Sequence, residues 1–380
     1  MTDTDTDYDI VVAGGGLAGL SMLYHLHTAG KLGEKRVLLV DPERKEGHDR
    51  TWSFWEKGEG PFEKLVHHRW HQVTLHNGNT HCSCALRPYA YKVILSNDFY
   101  GYVNRILDKL PNLERRFTTA DQFLPTDDKV HFRMQGEGYS ATHLFSSLPH
   151  PLDYREVNQP YLDQHFRGWF VETDEDTFDP GTAAMMDFRT PQEGETRFFY
   201  VLPFSQRRAL VEIAIFSNDH LTTEAYDVLI GEYIRANWTR GTYRVTHTEA
   251  GNIPMTTYGY PRRRGNHIYI GLGGGAARPS TGYTFYGLQR QLARMARDYP
   301  DITDTRVWPE KHLLYDATLL RILQERKLAG EELFVNLFRD NPPARVLAFL
   351  NGESSLWQEL RLMATTPVGV FGSTFVRELL

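Results

Sequence analysis

Two cysteines, Cys82 and Cys84, are all that the 380 residues contain, so no disulfide framework is available and the chain suits a reducing compartment. Long hydrophobic runs are missing as well: no stretch approaches the ~20 apolar residues of a membrane-spanning helix. A positive excess is also absent. Forty-eight acids against 42 bases give a net charge of −6, which argues against nucleic acid as a partner. There are no internal repeats, and low complexity is confined to the acidic start, Met1 to Tyr8. That start has neither the basic nor the apolar segment of a secretory signal, and residues 1–8 are expected to form a disordered tail.

What is present is an ordinary globular composition, 41% hydrophobic and 24% charged, with ample material for a core. The length suits two to three folding units or one two-lobed enzyme. Aromatic residues reach 13%, which fits a protein that grips something large, flat or greasy and fits extra core equally well.

The first organised unit has the order strand, glycine turn, helix, strand. Ile10-Val11-Val12-Ala13 is an apolar, β-branched run, and Gly14-x-Gly16-x-x-Gly19 follows it. Leu20, Leu23, Tyr24 and Leu26 then recur at helical spacing, with Gly30 as the expected cap, and Val37–Val40 ends at Asp41. In such a unit Gly14 permits the tight turn, Gly16 lets a pyrophosphate approach the backbone, and Gly19 lets helix and strand pack closely. Asp41 stands where a carboxylate binds the adenosine ribose. A second glycine-rich turn runs from Gly271 through Gly273 and Gly274 to Thr281 and Gly282, ahead of a helix expected from about Thr284 to Arg297. Two such turns favour FAD as a resident cofactor over a shuttling nicotinamide; the plainer reading of the second is a flexible loop.

Between these units the text changes to strands: Gly168–Thr173, Ala183–Phe188, Phe198–Leu202 and Ala209–Phe216, the last two joined as an antiparallel meander. In Ala209–Phe216, alternation places Ala209, Val211, Ile213 and Ile215 on one face and Leu210, Glu212, Ala214 and Phe216 on the other. Glu212 is the one polar group on two apolar faces. An unpaired carboxylate there is costly, so the side chain is expected to keep its proton and to serve as a general acid, unless a neighbouring Arg or a sheet edge relieves it.

Other signals carry less. His67, His68, His71, His76, His81, Cys82 and Cys84 crowd one stretch, but their spacing fits no standard zinc site, and a hairpin with surface histidines is expected. Arg262-Arg263-Arg264 and the apolar tail with Phe371, Phe375, Val376 and Leu379 are weak membrane-contact signals; solvation and core packing explain them as well.

With these pieces placed, the chain resembles the lycopene cyclase family over nearly its whole length. The similarity rests on Val11–Leu20, the Asp49-Arg50-Thr51-Trp52 block, Met186-Asp187-Phe188, the Leu210-Val211-Glu212 strand, the Pro279–Phe285 turn and Asn341-Pro342-Pro343. The resemblance implies a Rossmann-like FAD-binding domain (9–145 and 245–300), an inserted antiparallel substrate domain (146–244) and a helical region (301–380) with a membrane-docking role. It implies β-cyclisation of lycopene, to γ- and β-carotene, by an enzyme that needs FAD in its reduced form, with NAD(P)H as electron source. Glu212 and Asp187 are then the catalytic carboxylates, and Arg50 joins Gly14, Gly16, Gly19, Asp41, Gly273, Gly274, Thr281 and Gly282 around the cofactor; no metal is implied. Because such a polyene dissolves in bilayers, peripheral attachment to the cytoplasmic face of a membrane is expected. Many relatives carry a second polar residue after the strand's glutamate, whereas this chain reads Ile213-Ala214-Ile215, and the second turn reads Gly271-Leu272 where flavoprotein hydroxylases carry Gly-Asp. The alternatives are a FAD-dependent hydroxylase or isoprenoid reductase, and a flavin-retaining carotenoid-binding protein.

Overall fold

The apolar run at the start of the chain forms β1 (Asp7–Ala13), followed by α1 (Leu17–Thr28) and β2 (Val37–Asp41), in a computed structural model that describes residues 7–149, 153 and 156–379. The expected disordered tail, apart from Asp7 and Tyr8, lies outside the described residues. Next come β3 (Thr51–Lys57), β4 (His68–Trp70), β5 (Gln72–His76), β6 (His81–Ala85), β7 (Tyr89–Leu95), α2 (Ser96–Leu107), β8 (Leu113–Phe117), β9 (Ala120–Pro125), β10 (Val130–Met134) and β11 (Glu137–Ser146). The middle of the chain supplies β12 (Tyr161–Thr173), β13 (Thr182–Asp187), β14 (Thr196–Pro203), β15 (Arg208–Ser217), α3 (Thr223–Asn237) and β16 (Tyr243–Thr256). It then returns through β17 (Arg263–Arg264), β18 (His267–Tyr269) and α4 (Phe285–Asp298). The chain ends in α5 (Glu310–Gln324), α6 (Gly330–Arg339), α7 (Pro343–Leu350), α8 (Leu356–Met363) and α9 (Val368–Leu379).

The first sheet has the order β17-β18-β11-β1-β2-β8, with β9 and β10 paired beside β11. β1 lies parallel to both β2 and β11, and β18 parallel to β11, so the glycine turn after β1 opens at the carboxyl ends of parallel strands. Ile10 and Val12 face the core shared with α1, α2 and α4, while Tyr8 and Val11 face the β9–β10 side. Both faces are covered, which is why the run is apolar without alternation.

The second sheet has the order β16-β12-β15-β14-β13-β5-β6. On one face Val211, Ile213 and Ile215 pack with Phe199 and with Tyr226, Ile230 and Tyr233 of α3. On the other, Leu210, Ala214 and Phe216 join Phe198, Tyr200 and the C-terminal helices. The two faces of β15 read from alternation are thus the two faces observed. The domain limits differ from expectation at two places. β16 belongs along its full length to the second sheet, so that sheet's segment runs to about Thr256 rather than stopping at 244, and β5 and β6 join it from within residues 9–145. β16 is an edge strand of largely exposed polar residues, without the apolar alternation that marks a strand. Of the histidine-rich stretch, His76, His81, Cys82 and Cys84 lie on the β5–β6 hairpin with its turn at 77–80, while His68 lies on β4, which pairs with β7.

Candidate active site

At the end of β1, Gly14 adopts φ +102°, a conformation that favours glycine. A Cβ at Gly19 would lie 1.9 Å from the Gly14 carbonyl oxygen, so the close approach of α1 to the turn requires glycine there. A Cβ at Gly16, by contrast, would meet nothing within 4 Å. That open space sits at the N-terminus of α1, which has no side-chain cap and whose first-turn N–H groups have no partners within the helix. Asp41 accepts the Gly15 N–H at 2.6 Å, and together with Asn104, Arg115 and Arg116 it lines a small recess beside the turn. The cradle therefore fits a dinucleotide.

The second glycine turn has Gly271 at φ +66° and a short 3-10 segment with Gly273 and Gly274 buried. Thr281 and Gly282 line the same cavity as Glu212, whereas Gly274 lines a separate recess with Tyr258, Tyr260 and Trp308. Beside Gly282, the buried Gln164 Oε1 has no hydrogen-bond partner among the described residues, an acceptor suited to a ring N–H of a bound cofactor. Arg50 is exposed and donates to the Asp49 carbonyl. The Arg278–Asp316 ion pair, at 2.7 Å and fully buried, fastens the second turn to α5.

Glu212 of β15 stands directly opposite Gly168 of β12 on one side and Tyr200 of β14 on the other. Gly168 is in turn directly opposite Glu249 of β16. Directly opposed residues share a face of a sheet, so Tyr200, Glu212, Gly168 and Glu249 form one row. Gly168 has no side chain to separate the two acids, and their carboxyls interact across it. A Cβ there would lie 3.2 Å from Glu212 Oε2 and 2.9 Å from Leu210 Cδ1. Glu212 is half-buried, its remaining surface facing a cavity of about 110 Å³. Burial, reinforced by the Glu249 charge, raises its pKa well above the carboxylate range. Glu249 is raised as well, chiefly by burial, and is eased downward by the Thr51 hydroxyl (2.9 Å) and by Arg50. Burial and mutual repulsion thus both favour the protonated form of this pair.

A larger apolar cavity of about 450 Å³ lies between this sheet and the C-terminal helices. Trp55, Phe198 and Phe216 line it from one side, and Phe334, Phe338 and Phe371 from the other. It shares Tyr200, Thr281 and Tyr283 with the smaller cavity that holds Glu212.

Asp187 does not enter this arrangement. It pairs with Phe199 across β13 and β14, and Phe199 stacks on Tyr233 of α3, which places Asp187 on the opposite face of the sheet. There its carboxylate is held by Arg189 and accepts the Tyr233 hydroxyl at 2.6 Å. Asp187, expected beside Glu212, thus lies on the other face of the sheet, and the acid that shares the row of Glu212 is Glu249. Glu249 escaped the sequence reading because its strand is polar and its partner is distant in the chain; the one legible hint was Gly168, a lone glycine inside a strand, which often marks a close approach.

Sheet order, glycine cradle and inserted sheet define a Rossmann-like fold of the flavoprotein kind, here with a carboxylate pair in a pocket that opens beside a large apolar cavity. The chain belongs to the lycopene cyclase protein family, which it matches over residues 9–374. No curated protein sequence matches the chain. Among solved structures, a geranylgeranyl bacteriochlorophyll reductase-like protein from Thermoplasma acidophilum has TM-score 0.62 at 12% identity, covering 98% of this chain and 99% of that one. A flavoprotein/dehydrogenase from Cytophaga hutchinsonii has TM-score 0.63 at 9% identity, covering 98% and 100%. A p-nitrophenol 4-monooxygenase from Pseudomonas putida has TM-score 0.58 at 14% identity, covering 98% of each chain. These likenesses concern the fold.

Proposed function

We propose that the protein is a lycopene β-cyclase, and the observation that carries this reading is the Glu212–Glu249 pair, aligned across Gly168 beside an apolar, aromatic-lined cavity. Glu212, kept neutral by burial, donates its proton to the terminal double bond of the polyene. The resulting cation is attacked by the neighbouring double bond and a six-membered ring closes. Glu249, ionised, removes a ring proton and passes it back to Glu212, the acid it faces across Gly168. One proton enters and one leaves, so no net oxidation or reduction occurs. Tyr91, Tyr200 and Trp52 present ring surfaces around this pocket, where π-electron density favours a cation.

The glycine cradle and the Gln164 acceptor support FAD as the resident cofactor, with NAD(P)H as the source of its electrons. Reduced FAD, when bound, supplies negative charge near the cation. Gly14, Gly16, Gly19 and Asp41 hold the nucleotide, and Thr281 and Gly282 border the ring.

The substrate comes from a bilayer in this reading. Among the described residues no helix is long and apolar enough to cross one. α8 and α9 expose Leu356 (61%), Trp357 (76%) and Val368 (64%), and Leu360 and Val368 also line the large cavity. The exposed charges of these two helices, Arg361 and Arg377, are both basic, although Arg377 also pairs with Glu325. This face is proposed to rest on the cytoplasmic surface of an anionic membrane. Anionic phospholipid vesicles should co-sediment the protein and release it on a Leu356→Ser/Trp357→Ser change; unaltered sedimentation would move the docking face elsewhere.

Expression in a lycopene-accumulating bacterium tests the function. Carotenes of unchanged mass with cyclic ends are expected. A gain of oxygen or of two hydrogens would establish a hydroxylase or reductase, and unchanged lycopene retained on the protein would establish a carrier.

A further inference from the structure

Three tyrosines of different strands and turns, Tyr91 and Tyr200 buried and Tyr283 partly buried, meet where the two cavities join. Tyr91 and Tyr283 hydroxyls are hydrogen-bonded at 2.9 Å, and the Tyr283 hydroxyl donates onward to Tyr200 at 3.4 Å. Tyr283 is held edge-on by Trp55, ring centres 4.4 Å apart, and Trp55 is itself anchored by its indole N–H on the Leu347 carbonyl. Tyr200 packs edge-on against Phe198 at 5.1 Å and stands directly opposite Glu212. The rings of Tyr200 and Tyr283 border both the large apolar cavity and the carboxylate pocket. Buried phenols need partners, and here the partners are one another, which fixes the rings at the junction.

Resting on the cyclase reading above, we infer that Tyr200 and Tyr283 form a throat that admits the slender acyclic end of the polyene and, once it is filled, keeps water from the cation beside Glu212. Water is the competing nucleophile in that pocket. Its lone pair forms a carbon–oxygen bond to the cationic carbon, its proton passes to the Glu249 carboxylate, and the product is an alcohol heavier than the carotene by one water, with no redox change. The phenol oxygens sit in the same place but are engaged in their own hydrogen-bond chain. Burial also keeps Tyr200 and Tyr283 protonated by raising both pKa values, so they do not compete as nucleophiles. A closed, dry site suppresses such side reactions.

The experiment compares carotenoids, by chromatography and mass, from a lycopene-accumulating host carrying the wild type, Tyr283→Phe, Tyr283→Ala or Tyr200→Ala. The wild type and Tyr283→Phe, which keep the ring, should yield cyclic carotene with little hydrated product. The alanine variants should raise the hydrated fraction by about tenfold or more, equivalent to ~1.4 kcal/mol in partitioning. Flavin content of the purified proteins reports folding, and Tyr283→Leu replaces any alanine variant that loses its flavin. Flavin-loaded truncation variants that form cyclic carotene with no rise in hydrated product would overturn the throat. A wild type that forms no ring would instead overturn the cyclase reading.

Discussion

Glu212 and Glu249 stand on strands that are not neighbours, β15 and β16, and their carboxyls meet because Gly168 on the strand between them carries no side chain. Gly168→Ala would put a Cβ 3.3 Å from Glu212 Cβ and 3.2 Å from its Oε2. The expected outcome is a folded protein with wild-type flavin content whose cyclisation falls about ten- to a hundredfold, because the acids are pushed apart. Rate and flavin absorbance, measured together, check it.

The two acids differ in role. Glu212→Gln should abolish ring formation, since no group remains to donate the proton. Glu249→Gln should retain the donor but lose the acceptor and slow turnover by about a hundredfold or more. Flavin content should be unchanged in both, because neither residue lies on the glycine cradle. Pigment profiles and flavin spectra of the two variants decide the assignment.

Stability carries the same signature. Burial raises both folded-state pKa values above those of the unfolded chain, that of Glu249 to about 7. The folded form therefore binds more protons, and the stability tied to this pair is present at acid pH and lost as pH climbs through that value. Glu249→Gln removes part of this loss. Its melting temperature should exceed the wild type's by about 2 °C or more at pH ~8, and the gap should close toward pH ~4. A gap that widened toward acid would contradict the buried pair.

The cradle separates binding from folding. Gly16→Val projects into open space, so the variant should fold and lose FAD. Gly19→Ala drives a methyl into the Gly14 carbonyl oxygen and should lower the melting temperature even without flavin. Thermal melts of flavin-free protein distinguish the two.

How much of this was legible from sequence depends on distance along the chain. The cradle is local, with strand, glycines, helix and Asp41 within 33 positions from Asp9, and α1, β2 and α4 fall where periodicity placed them. Glu212 was legible because one carboxyl on two apolar faces breaks the pattern of its strand. Its partner was not. Glu249 lies among Thr246, His247 and Thr248 on an exposed edge strand, where an acid looks like any solvated acid, and its meaning comes only from a pairing across 37 residues of sequence. Asp187 misled for the converse reason. Its block resembles the family, but cross-strand register, invisible in the sequence, turns it to the α3 face. The domain boundary at 245 failed because a polar edge strand carries no alternation.

The most direct test is cyclisation of lycopene in deuterated water by enzyme equilibrated in that solvent with reduced FAD. With enzyme in excess, so that each carboxyl pair turns over once before the proton returned from the ring is reused, the first ring formed should carry one deuterium at the former terminal double bond, with no other change in composition, and Glu212→Gln should form no ring. Rings free of deuterium, or full turnover by Glu212→Gln, would show that the initiating proton does not come from this carboxyl.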